Sequence, residues 1–209
     1  MLGLDPIVIA LRIPALLIAI TFHEFAHARM AYYFGDTTAH RQGRMNLNPL
    51  SHLDPIGTIM ILLVGFGWAK PVPINPYNFN QYRKGLRWVS FAGPLVNFIL
   101  GFLSLLFFSV LISRGITDGL FLQFVMVLTQ LNILLGIFNL IPIPPLDGSK
   151  ILMSLLPDAY LGHYRTIEQY APLILLLLII TRALGVIIFP LFNLVLTLFS
   201  TIIGFIPGL

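Results

Sequence analysis

Cysteine is absent from all 209 residues, which excludes disulfides, thiolate metal sites and a cysteine nucleophile. Charge is nearly as scarce. Asp, Glu, Lys and Arg make up 10% of the chain, against about 25% in an ordinary soluble domain. No internal repeat and no low-complexity linker is visible. No cleavable signal peptide is expected either, because the first apolar run is too long for one. What fills the chain is apolar: 57% of it is hydrophobic, at a mean hydropathy of +0.92. That composition describes an integral membrane protein. The pI near 9.6 invites a nucleic-acid reading, but the cations fall where membrane topology puts them. Seven of the twelve Lys and Arg lie between Arg29 and Arg87, and Lys150 and Arg165 follow Asp147. The positive-inside rule places both stretches in the cytoplasm, and no nucleic-acid partner is expected.

The pattern predicts an all-α polytopic membrane protein. It reads as a helix bundle with a small membrane-associated β or re-entrant element between the first and second spans. A first helix over about 6–34 runs inward and stops at Gly35-Asp36. Residues 36–87 are rich in Pro, Gly and Asn and suit turns and short strands. Within them Ile56 to Phe66 is apolar but short for a span, which needs ~20 residues. Residues 67–75 read as an extended edge, since Pro71 and Pro73 forbid a helix. Further spans are expected at about 88–113 and 120–141, then a short amphipathic helix and loop over 149–170. The stretch 171–206 reads as two helices divided near Phe189-Pro190. All of it, 1–209, is expected to form one membrane-embedded domain with its chemistry in about 6–155.

One helix carries that chemistry. Thr21-Phe22-His23-Glu24-Phe25-Ala26-His27 sets two histidines four residues apart, so both imidazoles leave one helix face and can grip one zinc ion. Glu24 adjoins the first, placed to act as general base on a water that the metal polarises. A carboxylate near a bilayer core costs roughly 2.5–3.5 kcal/mol on insertion scales, so it is rarely there idle. Two histidines are one short, because a catalytic zinc takes three protein ligands and leaves a fourth position open. Of the remaining acids Asp147 is the best placed, in a proline-broken turn just after a span, although Leu-Asp-Gly is also an ordinary turn.

The three segments His23-Glu24-Phe25-Ala26-His27, Gly93-Pro94-Leu95-Val96-Asn97 and Asn139-x-x-Pro142-x-x-Pro145-Leu146-Asp147-Gly148 together resemble the site-2 protease family of zinc intramembrane proteases. Asn46 to Gly57 and Gly67 to Val72 also resemble its prokaryotic members. The resemblance covers about 15–155. It implies one zinc held by His23, His27 and Asp147, Glu24 as base, and cleavage of membrane-spanning protein substrates in a prokaryotic cell membrane; the inward run of the first helix puts the active site toward the cytoplasmic side. It also supports Asn97 as an amide N–H donor to the developing oxyanion; the alternative is an interhelical hydrogen bond. Only Arg114 to Gly119 is available for the external segment where many members insert a PDZ domain.

A substrate helix must be extended before attack. An edge strand at 67–75 offers backbone partners for this, with Gly67, Trp68, Ala69, Lys70 and Val72 as candidate contacts; the alternative is a plain interfacial loop. His52 and Asp54 are left outside the metal shell, and His40 and His163 are expected in polar loops. Two other readings use the same ligands. A zinc or proton transporter is opposed by the lack of repeated halves. A dead scaffold is opposed by the presence of every zinc and base position.

Overall fold

The computed structural model describes residues 6–54, 56–57 and 69–206. Helices α1 (Pro6–Tyr33), α2 (Thr38–Arg41), α3 (Tyr82–Ser113), α4 (Leu120–Leu140), α5 (Asp147–Leu155), α6 (Asp158–Ile180) and α7 (Ala183–Gly204) occur in that order, with 3-10 turns at Pro49–His52 and Pro76–Asn78. Three of them, α3, α4 and α7, are long and apolar enough to cross a membrane. The 28 residues of α1, at about 1.5 Å each, also exceed the ~30 Å hydrocarbon thickness. Without water in that layer only internally bonded helices satisfy the backbone, which is why the apolar stretches coil.

The core is α1, α3 and α4 packed on one another, with α5 against α3, α7 against α4 and α3, and α6 folded onto α7. Small residues set the spacing. Ala15, Ala19, Ala28 and Ala31 of α1 are at most 1% exposed, and small side chains let helix backbones approach closely in lipid. A Cβ at Gly148 would lie 2.2 Å from the Leu140 carbonyl oxygen. Only glycine therefore allows α5 to start hard against the end of α4, and that turn fixes Asp147.

The chain leaves α1 through Gly35, and Asp36 anchors the segments beyond it. Its carboxylate accepts hydrogen bonds from Thr38 N and Oγ1, Asn75 N and Asn78 Nδ2. Burial opposes its charge, but these bonds outweigh that penalty and hold its pKa below the ordinary carboxylate range. One carboxylate thus pins 75–78 beside the end of α1.

Three expectations need correction. No β-strand occurs among the described residues; 70–75 has no regular secondary structure, and the only ladder contact of the segment is an isolated antiparallel bridge between Leu53 and Ala69. Pro71 and Pro73 carry no N–H, and a strand needs alternate donors. The apolar stretch read as re-entrant lies outside the described residues from 58 to 66. The loop expected before 171 is instead the first half of α6, so His163 sits in a helix. The C-terminal helices do separate, but at Thr181-Arg182 and not at Pro190. Arg182 adopts the left-handed conformation, φ 58°, and a lone cation in an apolar stretch is where the chain gains by reaching water. Pro190 lies inside α7, as prolines do in membrane helices whose neighbours supply the missing backbone contacts.

Candidate metal centre

His23 and His27 leave α1 on one face, with Glu24 beside the first, and α5 supplies Asp147 at its first residue. All four are at most 8% exposed. His23 Nε2 and His27 Nε2 are 2.9 Å apart, and Asp147 Oδ2 lies 3.2 Å from one and 3.1 Å from the other. Among the described residues these three form a group able to hold a metal ion.

The far sides of the rings decide what faces the centre. His27 Nδ1 lies 2.7 Å from the Val89 carbonyl of α3. A carbonyl only accepts, so Nδ1 carries the proton and Nε2 of the neutral ring offers a lone pair. His23 Nδ1 is engaged likewise, 2.6 Å from Asn97 Oδ1. With both rings neutral, three acceptor atoms converge without a proton among them, an arrangement that a cation stabilises. A tetrahedral zinc with bonds of about 2.0–2.2 Å holds its ligand atoms roughly 3.3–3.5 Å apart, so small adjustments admit it. Two imidazoles and a carboxylate are the ligands zinc takes where cysteine is absent, and they fit.

Gly93 makes room for this arrangement. A Cβ there would stand 2.5 Å from His27 Nε2 and 2.7 Å from His23 Nε2. Gly93→Ala is therefore expected to lower zinc content sharply although every ligand remains. Metal analysis of the purified protein checks this; full occupancy in the variant would mean that α3 does not press on the two rings as described.

Glu24 Oε2 accepts a hydrogen bond from Val72 N at 2.8 Å, which lays the 69–75 segment against the proposed base. Lys70 N donates to the His52 carbonyl, and Arg44 Nη2 donates to the carbonyls of Lys70 and Pro71. The donors expected to greet a substrate at Lys70 and Val72 are thus spent within the chain. Ala69 is bridged to Leu53, while Gly67 and Trp68 lie outside the described residues. His52 is fully buried but donates from Nε2 to the Asn46 carbonyl, and Asp54 Oδ1 accepts from Gly57 N. Neither belongs to the group of three. His40, expected in a loop, lies in the short helix α2, exposed and near the Tyr32 ring.

Asn97 stands on α3 with its oxygen, not its nitrogen, toward His23. Its amide hydrogens go to the Ala19 carbonyl and to Asn132 Oδ1. No N–H remains for an oxyanion in this arrangement. Asn132, which the sequence reading passed over, is fully buried in α4; an amide in a span with mean hydropathy 2.0 was the available signal.

Comparison with known proteins accords with this centre. A family model described as Peptidase family M50 matches residues 109–181, the stretch that contains Asp147. YwhC of Bacillus subtilis is 41% identical over 197 residues, 90% of each chain. The chain belongs to peptidase family M50, the site-2 protease family. Rip2 of Mycolicibacterium smegmatis is 31% identical over 178 residues, 81% of this chain and 66% of its own. MJ0392 of Methanocaldococcus jannaschii is 28% identical over 148 residues, 69% of this chain and 34% of its own. All three bear zinc metalloprotease names. No solved structure matches. This M50 protein is accordingly a zinc metalloprotease and, with its apolar helices, an integral membrane protein.

Proposed function

We propose that this protease cleaves peptide bonds in or near the membrane-spanning segments of protein substrates, with His23, His27 and Asp147 holding one zinc and Glu24 as the general base. The observation that carries the reading is the buried triangle of Nε2, Nε2 and Oδ2 atoms with Glu24 next to it, set among helices long enough to cross a bilayer. When bound, zinc supplies Lewis-acid polarisation of a carbonyl and lowers the pKa of water. The remaining work falls to the chain. Glu24 takes the proton of the attacking water and delivers it to the leaving amine. Burial of the centre keeps bulk water scarce, so the charges there act at full strength. The three ligands come from two elements, α1 and α5, and α3 holds them in register through Val89, Gly93 and Asn97.

Charge supports a cytoplasmic orientation for the site. Arg41, Arg44, Lys70, Arg83, Lys84 and Arg87 come after the end of α1 that bears His27, whereas Arg114 stands alone after α3. In this reading 1–209 works as one membrane-embedded domain in a prokaryotic cell membrane.

The test is metal removal and return. Protein in detergent or proteoliposomes, treated with chelator, is expected to lose cleavage of a membrane-spanning reporter and regain it with about one zinc per chain. Cleavage that survives complete removal of metal would end the proposal. Restored metal without any cleavage of the reporter, in a lipid environment, would end the substrate assignment.

A further inference from the structure

We propose that Asn132 and Asn97 form a positioning relay that holds His23 in the one tautomer able to bind metal; the inference rests on the metal reading above. The direction of every hydrogen bond in the relay is set by two backbone carbonyls. Ala19 O can only accept, so the Asn97 atom 3.1 Å from it is Nδ2. Asn97 Oδ1 therefore faces His23 Nδ1, at 2.6 Å. Leu128 O in turn fixes Asn132, whose Nδ2 donates to it at 2.9 Å and whose Oδ1 turns toward Asn97. The second amide hydrogen of Asn97 goes to that oxygen, 2.9 Å away.

The relay has one polarity from end to end. Asn132 donates to its own helix and accepts from Asn97; Asn97 donates twice and accepts from His23. Asn97 Oδ1 can only accept, so the shared proton sits on His23 Nδ1 and leaves Nε2 of the neutral ring as a lone pair in the triangle. With the opposite tautomer, Nδ1 and Oδ1 would face each other as two acceptors. Both asparagines are fully buried, where a primary amide is costly unless its hydrogen bonds are made. Here the two amides link α1, α3 and α4 at the level of the metal ligands.

A pair of asparagines joining helices is also simple bundle glue, and the two roles use different atoms. Glue depends on the donors of Asn97 toward Ala19 and Asn132. Positioning depends on its acceptor toward His23. Asn97→Ala removes both functions; Asn97→Asp keeps the acceptor and discards the donors. The readout is zinc affinity by competition with a chromophoric chelator, beside the thermal unfolding midpoint in detergent. Losing a partner that orients a metal-bound histidine typically costs about 10–100-fold in affinity. Asn97→Ala is expected to show that loss, Asn97→Asp to recover most of it, and Asn132→Leu to fall between. Equal losses in the Ala and Asp variants, or none in either, would overturn the relay.

The histidine 15N resonances of metal-free protein provide a second reading that needs neither zinc nor activity. His23 is expected in the Nδ1–H form in the wild type and in Asn97→Asp, and in mixed forms in Asn132→Leu. A wild-type His23 protonated on Nε2, or one indifferent to Asn132→Leu, would refute the relay even where Asn97→Ala does not fold. A wild type that binds no zinc while showing these shifts would overturn the metal reading and leave the relay standing.

Discussion

Glu24→Gln is expected to keep zinc at the wild-type level and to lose cleavage of a membrane-spanning reporter by about 10²–10⁴-fold, the range for a positioned general base. In barrier terms that is roughly 3–5 kcal/mol. Glutamine is the informative choice because its amide oxygen can still accept the Val72 N–H now bonded to Glu24 Oε2. The 69–75 segment then keeps its anchor, and the buried helix face keeps its shape. Only the ability to take a proton goes. Metal analysis beside a turnover assay reads both halves. Near-normal turnover would remove Glu24 from the chemistry; lost metal would mean that the carboxylate is itself a ligand, and the triangle would have to be redrawn.

The grouping of His23 and His27 on one buried face, with Glu24 beside them, was legible in the sequence because helical spacing turns a four-residue interval into a shared face. That Asp147 joins them was legible for a different reason: two histidines leave a zinc short of a ligand, and this acid lies just after a span in a proline-broken turn. The long apolar runs of α3 and α4 could hardly be anything but spans. What the sequence did not reveal depends on contacts between elements. Nothing local tells that Val72 N bonds to Glu24, 48 residues away, rather than to a substrate. The same holds for Asn97, whose amide hydrogens are taken by Ala19 and Asn132 once α1, α3 and α4 are packed. The division of the C-terminal stretch turned on two competing breakers. A proline inside a membrane helix forfeits one hydrogen bond, but an arginine in lipid forfeits its hydration, so the chain turned at Arg182.

Asp147 carries the second large effect. It is the only member of the proposed ligand triangle that does not come from α1, and it reaches the histidines through the tight Leu140–Gly148 contact at the start of α5. Asp147→Ala leaves two Nε2 lone pairs 2.9 Å apart and removes the carboxylate that stands within reach of both. Even a partner one step removed from a metal is worth about 10–100-fold in affinity, so loss of a direct anionic ligand should exceed that and empty the site at ordinary zinc concentrations. Cleavage should vanish with the metal. Asp54→Ala and His52→Ala provide the contrast, because Asp54 Oδ1 is occupied by Gly57 N and His52 Nε2 by the Asn46 carbonyl. Both are expected to retain zinc, whatever they cost the loop in stability. Zinc retained in Asp147→Ala but lost in Asp54→Ala or His52→Ala would reverse the ligand assignment. Asp147→Asn separates charge from shape, since its amide oxygen can still point at the triangle. Weaker but measurable zinc binding there, against none in the alanine variant, is the order expected if Asp147 is both a ligand atom and the charge that makes the site hold a cation.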